Sequence, residues 1–357
     1  MKPPLRDAYG RPLNNLRISV TRECNYHCFF CHVEGHPSGR PLPPGSEDSL
    51  LTPEEYGIVA RAAYSLGISS FKLTGGEPLV RPDIVEIVSS IRVGAPRADI
   101  SMTTNGYYLA ELASRLAEAG LDRVNVSLHS LREEVYRRIT GVNGLKRVLE
   151  GLREASNAGF KLIKVNAVVL RGLNDSELWN LLEFARDNGF VLQLIELHPV
   201  GLGSRTFKRH FTPLEAFERE LVERGARIRI RSLHNRPIYE LPDGSRVEVV
   251  KPYANPLFCL GCSRVRLLDD GTLSPCLNWR GRRVDLIGRL RSAPSYEEKI
   301  SKVMEALVEV NTLRRPFYLW PRDDSGLRSL FDGRLAHRPR GPLRLRLPKK
   351  SPQPPGD

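Results

Sequence analysis

Leu16-Arg17-Ile18-Ser19-Val20-Thr21-Arg22-Glu23-Cys24-Asn25-Tyr26-His27-Cys28-Phe29-Phe30-Cys31 is the stretch that organises the rest of the chain. Its first half, Leu16 to Val20, has the short apolar pattern of a strand. Its second half places three cysteines in the spacing Cys24-x3-Cys28-x2-Cys31. Three soft thiolates this close can ligate three irons of a [4Fe-4S] cube and leave the fourth iron without a protein ligand, open to a substrate. Cytosolic thiols stay reduced, so clustered spacing argues for metal rather than for disulfides.

Downstream, from residue 14 to about 200, a short β-branched run, a turn and a helical period recur six times. Strands are expected at Leu16 to Val20, Ser70 to Thr74, Ile100 to Thr104, Arg123 to Leu128, Leu162 to Leu170 and Val191 to Leu197. Helices are expected near Glu54 to Leu66, Asp83 to Val93, Leu109 to Ala119, Gly144 to Ala158 and Ser176 to Asn188. Thr52-Pro53-Glu54-Glu55 is a capping-box signature with proline at the first helical position. Consecutive βα units imply an α/β fold with a parallel sheet, and periodicity alone fits an open barrel as well as a doubly wound sheet. Several polar motifs fall where these strands end: Thr74-Gly75-Gly76-Glu77-Pro78, Thr103-Thr104-Asn105-Gly106, Ser127-Leu128-His129-Ser130 and Ile195-Glu196-Leu197-His198-Pro199. In a parallel barrel all of them project onto one face, where active sites are built.

After residue 230 the pattern changes to hairpins, with Asp243-Gly244 between Ile238 to Leu241 and Arg246 to Val250, and Asp270-Gly271 between Val265 to Leu268 and Thr272 to Leu273. The remaining cysteines form a second triplet, Cys259-x2-Cys262-x13-Cys276, which the second hairpin folds together. Taken alone, it suits either zinc with a fourth ligand or an iron–sulfur cluster. The expected organisation is an arm at 1–13, a βα region at 14–230, a smaller hairpin domain at 231–320 and a basic Pro-rich tail at 321–357.

The 357 residues are 41% hydrophobic and 27% charged, ordinary globular usage that excludes collagen-like and disulfide-scaffold classes. No apolar run reaches a membrane-spanning length and the N-terminus lacks an apolar signal region, so a soluble cytoplasmic protein without a membrane partner is expected. Of the net +13, six charges lie between Arg334 and Asp357, among prolines that break any helix; that tail reads as solvated rather than as a specific nucleic-acid binder. The basic body suits an anionic ligand. Because GxxxxGK[ST] is absent, a phosphate site has to be built from side chains.

With Cys24-x3-Cys28-x2-Cys31 after a first strand and Gly75-Gly76-Glu77-Pro78 after a second, the chain resembles the radical SAM enzymes. Within them it is most similar to the GTP 3',8-cyclase family of molybdenum cofactor synthesis, over about residues 12 to 320. Further segments that carry this similarity are Arg123-Val124-Asn125-Val126-Ser127-Leu128, Arg138-Ile139-Thr140-Gly141, Lys164-Val165-Asn166, Arg171-Gly172-Leu173-Asn174-Asp175 and Cys262-Ser263-Arg264-Val265-Arg266. The resemblance implies a partial (β/α)6 TIM-type barrel capped by the smaller C-terminal domain. It implies two [4Fe-4S] clusters, on Cys24, Cys28 and Cys31 and on Cys259, Cys262 and Cys276, with S-adenosylmethionine as cofactor. Phe30, Gly76, Ser127 and His198 are assigned by it to the S-adenosylmethionine pocket, and Arg17, Lys72, Thr103, Lys164, Arg264, Val265 and Arg266 to GTP.

The reaction so implied is radical abstraction of the C3' hydrogen of GTP and closure of C3' on guanine C8, giving (8S)-3',8-cyclo-7,8-dihydroguanosine 5'-triphosphate. A reducing electron donor, transfer of product to the next molybdenum cofactor enzyme and a homodimer follow from the same resemblance. Members often end in a Gly-Gly tail, whereas this chain ends Pro354-Pro355-Gly356-Asp357. Phe30, His129 and His198 stand where tyrosine, aspartate and methionine are frequent, and neither histidine is given acid–base work. Two rivals are a peptide-modifying radical SAM enzyme with an auxiliary cluster and a zinc-stabilised nucleic-acid-binding protein. The first usually carries more C-terminal cysteines, and the second leaves the first triplet unused.

Overall fold

The computed structural model describes residues 3–33 and 50–317. The Pro-, Gly- and Ser-rich segment at 36–49, which the sequence marks as a long loop, and the tail from 321 lie outside the described residues. The βα succession is β1 (Asn15–Ser19), α1 (Pro53–Ser65), β2 (Ser70–Thr74), α2 (Ile84–Gly94), β3 (Asp99–Thr104), α3 (Leu109–Glu118), β4 (Arg123–Ser127), α4 (Glu133–Thr140), α5 (Leu145–Asn157), β5 (Leu162–Val169), α6 (Leu178–Asp187) and β6 (Val191–Glu196). There follow α7 (Gly203–His210), α8 (Glu215–Glu223), β7 (Arg227–Arg231), β8 (Arg236–Glu240), β9 (Arg246–Val250) and α9 (Pro256–Leu260). The last elements are β10 (Arg264–Leu267), β11 (Thr272–Ser274), β12 (Val284–Asp285), α10 (Ile287–Ser292) and α11 (Tyr296–Thr312). The expected capping box is present: Thr52 Oγ accepts from Glu55 N at 3.2 Å, and Glu55 Oε2 accepts from Thr52 N at 2.9 Å.

One sheet runs β12-β11-β10-β1-β2-β3-β4-β5-β6-β9-β8-β7, with β1 to β6 parallel and in chain order. Sequential order distinguishes a barrel from a doubly wound sheet, because right-handed crossovers taken always in one direction keep every helix on one side. Accordingly α1 packs on α2, α2 on α3 and α3 on α5. The hairpin strands join the same sheet at both edges: β10 adds parallel to β1 and β9 parallel to β6. Residue 230 therefore falls inside a continuous sheet, and the described residues belong to one compact unit.

Strict alternation along the strands decides which face is which. Leu16 and Ile18, Phe71 and Leu73, Ile100 and Met102, Val124 and Val126, Val247 and Val249, and Val265 and Leu267 are fully buried in the layer beneath the helices. The intervening positions are polar: Arg17, Lys72, Ser101, Asn125, Lys164, Asn166, Gln193, Glu248 and Arg266. Parallel strands covered on both faces by apolar layers read as continuous hydrophobic runs. Here period two instead gives one apolar face and one polar interior face.

Candidate functional site

The three cysteines of the first triplet lie on the loop that leaves the C-terminal end of β1, and neighbouring loops hold that loop from three sides. Gly76 N donates to Thr21 O at 2.8 Å and Glu77 N to Glu23 O at 2.7 Å. A Cβ on Gly76 would stand 2.0 Å from Glu23 O, so only glycine allows this approach. His27 N donates to Thr140 O at 2.9 Å, which gives the Arg138-Ile139-Thr140-Gly141 motif a bracing role, and Leu202 N donates to Cys31 O at 2.8 Å. Gly201, with φ +60°, packs its α-carbon against the Cys31 carbonyl, where a Cβ would come within 2.7 Å.

Glu77 links the second loop to the third. Its buried carboxylate accepts from Leu79 N at 3.0 Å, Thr104 Oγ1 at 2.6 Å and Asn105 N at 2.5 Å, and Asn105 Nδ2 reaches Asn25 Oδ1 at 2.7 Å. Burial pushes this carboxyl up to about 7 even against those three donors. The strand-end motifs expected to share a face are thus wired together at the C-terminal rim of the sheet. Phe30 packs edge-on to His129 at 5.0 Å, and His129 Nδ1 accepts from Val168 N at 3.2 Å. Burial draws His129 and His198 down to about 4, so both stay neutral. His198 Nε2 is 3.3 Å from Asn278 Oδ1, while its buried Nδ1 has no hydrogen-bond partner among the described residues. Ser127 ends β4 on the polar face, opposite Asn166.

The second triplet begins with Cys259 inside α9 and spans the β10–β11 hairpin. Cys262 N donates to Cys259 O at 3.1 Å, and Ser274 Oγ to Cys276 O at 3.0 Å. The turn at His234 and Asn235, both with positive φ (64° and 49°), braces α9: His234 stacks on Phe258 at 3.9 Å and its N–H reaches Gly261 O at 2.7 Å. The Arg22 side chain, from the first cysteine loop, pairs with fully buried Asp269 on the hairpin, tying the two cysteine regions together.

Between them lies the polar interior. Arg266, Arg17 and Lys72 are register partners on three adjacent strands. Ser101 continues that row on β3, and Thr103, Asn125 and Lys164 form the adjoining row two residues further along the strands. Arg17 Nη2 donates to Thr74 Oγ1 at 3.0 Å, Lys72 Nζ to Asn125 Oδ1 at 2.9 Å, and Arg264 Nε to Asn15 Oδ1 at 2.9 Å. Among the described residues no carboxylate pairs with Lys72 or Arg264, and both are drawn well below their ordinary values by burial, with Arg17 the next cause for each. Lys164 differs: it pairs with buried Glu248, which also meets Arg236 at 3.0 Å and Arg231 at 3.2 Å. Val265 turns its side chain into the apolar layer, so a ligand in the interior reaches only its backbone. Sequence reading placed Glu77 in its motif without a role and missed Arg22–Asp269 and the Glu248 cluster; the signal for the interior as a whole was the period-two polarity of the strands.

None of the six cysteines is joined in a disulfide. Cys24 lies exposed on its loop, while burial pushes Cys259 up to about 12 and raises Cys28 and Cys276 as well. Such thiols are poor nucleophiles, whereas coordination deprotonates a thiol outright. Among the described residues no group of three His, Cys, Asp or Glu side chains is drawn together around a single ion. Two three-thiol sets, with no fourth cysteine in either among the described residues, together with the orphan His198 Nδ1, fit iron–sulfur clusters and a ligand on the rim.

A sequential parallel barrel rimmed by such a loop defines the radical SAM class of fold, and residues 18–185 match the Radical SAM superfamily model while residues 190–316 match Molybdenum Cofactor Synthesis C. The chain is similar in structure to Streptococcus suis SuiB bound to precursor peptide SuiA, with TM-score 0.56, 15% identity, and 80% of this chain and 66% of that one covered. It is similar also to native anSMEcpe with bound AdoMet, with TM-score 0.53, 16% identity and 82% of both chains covered. In sequence it is 48% identical to a probable GTP 3',8-cyclase of Aeropyrum pernix, over 97% of this chain and 94% of that one. It is 45% identical to one of Thermococcus kodakarensis, over 88% and 99%. The chain belongs to the GTP 3',8-cyclase family of radical SAM enzymes.

Proposed function

We propose that the polar interior binds GTP between the two cysteine triplets, with the triphosphate on Arg17, Lys72, Arg264 and Arg266 and the backbone of Val265, and with Thr103 and Lys164 along the adjoining row. The chain is a radical SAM GTP 3',8-cyclase acting in molybdenum cofactor synthesis, with S-adenosylmethionine and [4Fe-4S] clusters as cofactors. When bound, they supply the radical that takes the C3' hydrogen of GTP so that C3' can join guanine C8.

The observation that carries the binding reading is the cation row itself. Lys72 is partly buried, has no carboxylate partner among the described residues, and its charge is opposed by desolvation and by Arg17, Arg123 and Arg264. An ammonium held among cations without a carboxylate of its own gains its counter-charge from a bound anion. Guanidinium forks and an ammonium are the groups that hold a triphosphate. Cys24, Cys28 and Cys31 would hold the cluster that meets S-adenosylmethionine, with Phe30, Gly76, Ser127 and His198 lining its pocket. Cys259, Cys262 and Cys276 would hold the second cluster beside the base. The surrounding side chains orient GTP and exclude water from the reacting carbons.

Lys72→Met tests the site directly. The unaltered protein should bind GTP more tightly than guanosine by equilibrium dialysis under anaerobic conditions, and the variant should lose at least about tenfold of that preference, one hydrogen-bonded charge being ~1.5–3 kcal/mol. Equal GTP binding by both chains contradicts the assignment. No described helix is long and apolar enough to cross a membrane. A cytoplasmic location, a homodimer and an external one-electron donor belong to the same proposal.

A further inference from the structure

Two buried guanidiniums from opposite ends of the described chain hold the peptide carbonyls of the second cysteine loop. Arg11 Nη1 donates to Cys259 O at 2.9 Å, and Arg314 Nη2 donates to Cys262 O at 2.6 Å. Asp7 lies between them, its Oδ2 2.7 Å from Arg11 Nε and 3.7 Å from Arg314 Nη1. Relative exposures are 7% for Asp7, 6% for Arg11 and 2% for Arg314, so none of the three is screened by solvent.

The chain builds this arrangement deliberately at both ends. Residues Arg6 and Pro12 pair as an antiparallel bridge, and Leu13 N donates to Leu5 O at 2.7 Å, folding the N-terminal segment back on itself. Arg314, just beyond α11, then locks that fold by donating to Arg11 O at 3.3 Å, Pro12 O at 3.1 Å and Asn311 Oδ1 at 3.0 Å. Buried arginine is costly unless a specific charge needs it. Two guanidiniums against one carboxylate leave one positive charge in excess.

That excess matches what the loop would carry. A [4Fe-4S]2+ core with three thiolates has a net charge of minus one, and gaining an electron makes it minus two. A fixed positive charge in a poorly screened interior balances the first state and favours the second. We propose that Asp7, Arg11 and Arg314 are positioning residues for the second cluster, holding the Cys259–Cys262 loop in its ligating shape and raising the cluster's midpoint potential. The proposal rests on the reading of Cys259, Cys262 and Cys276 as cluster ligands.

Its test is a dithionite titration of the reconstituted full-length holoenzyme followed by electron paramagnetic resonance. The first cluster is recognised by the change of its signal on adding S-adenosylmethionine. Arg11→Gln and Arg314→Gln should move the second midpoint to more negative values, Asp7→Asn should move it to more positive values, and Arg314→Lys should restore it toward the unaltered protein. The first cluster's midpoint should stay where it is in all four. If an arginine variant cannot keep the second cluster, iron should fall to about half, from roughly eight atoms per chain, with the first signal intact. Shifts of the same sign in the aspartate and arginine variants, unmoved midpoints at full iron, or equal loss of both clusters would each overturn the proposal. Iron for one cluster only in the unaltered chain would remove it together with the cluster reading.

Discussion

Glu248→Gln removes the carboxylate that faces Lys164, Arg231 and Arg236 inside the sheet. Burial opposes ionisation of this group, yet Arg236, Lys164 and Arg231 together hold it at about 2 against an ordinary 4.5. At ~1.4 kcal/mol per pH unit that difference corresponds to about 3 kcal/mol, the lower end of what breaking a buried ion pair costs. The folded value lies below the unfolded one, so the stabilisation is complete above pH 4.5 and is lost as pH falls toward 2. The same substitution removes the attraction that works against burial at Lys164, whose ammonium already sits near 8 because burial, Arg231 and Arg236 oppose its charge.

The assay is thermal unfolding of the anaerobic protein at matched scan rates, since proteins of this size with bound clusters unfold irreversibly. At pH 7 the variant should melt about 5–10 °C lower. Lys164→Met in the same background should recover part of that loss, about 2–4 °C, because it removes one of the stranded cations. A shift under about 2 °C at pH 7, or strict additivity of the two shifts, would refute the reasoning.

Three further outcomes are expected. Gly76→Ala pushes a Cβ to 2.0 Å from Glu23 O, so the first cysteine loop must shift; iron should fall by about half with the circular dichroism unchanged, and full iron would show that the approach is not needed. GTP binding should take up a proton, because a bound triphosphate returns to Lys72 the charge that burial and its cationic neighbours suppress. Affinity should therefore decline as pH rises; calorimetry in two buffers of different ionisation enthalpy reads the uptake, and none at all contradicts it. Arg22→Met leaves fully buried Asp269 without its guanidinium and should cost about 3 kcal/mol in unfolding; an unchanged melting curve would mean that the pair contributes nothing.

Local periodicity located the helices and strands of the six βα units to within a few residues, and the capping box at Thr52 and the turns at Asp243-Gly244 and Asp270-Gly271 are as expected. These features depend on residues close together in sequence. The parallel addition of β10 to β1 does not: Arg17 and Arg266 become register partners through pairing that no turn signal announces. For the same reason the contacts of Arg314 with Arg11, 303 positions away, could not be read from spacing. α4 escaped notice because half of its eight residues, Glu133 to Thr140, are charged and only Tyr136, Ile139 and Thr140 are buried.

The cysteines were legible because a thiol triplet in fixed spacing has few other uses. The cation row was legible only through resemblance, although the polarity of Arg17 between Leu16 and Ile18, and of Lys72 between Phe71 and Leu73, carried it all along. In a strand under helices, a charge every second residue marks a face turned toward something other than a hydrophobic core.

The central claim is that GTP lies in this interior with its C3' hydrogen presented to the radical. Anaerobic incubation of the two-cluster protein with S-adenosylmethionine, dithionite and GTP deuterated at C3' tests it in one step. Transfer of one deuterium into 5'-deoxyadenosine, matched by cyclised product, is the predicted result. 5'-Deoxyadenosine formed without deuterium, with GTP returned intact, would contradict it.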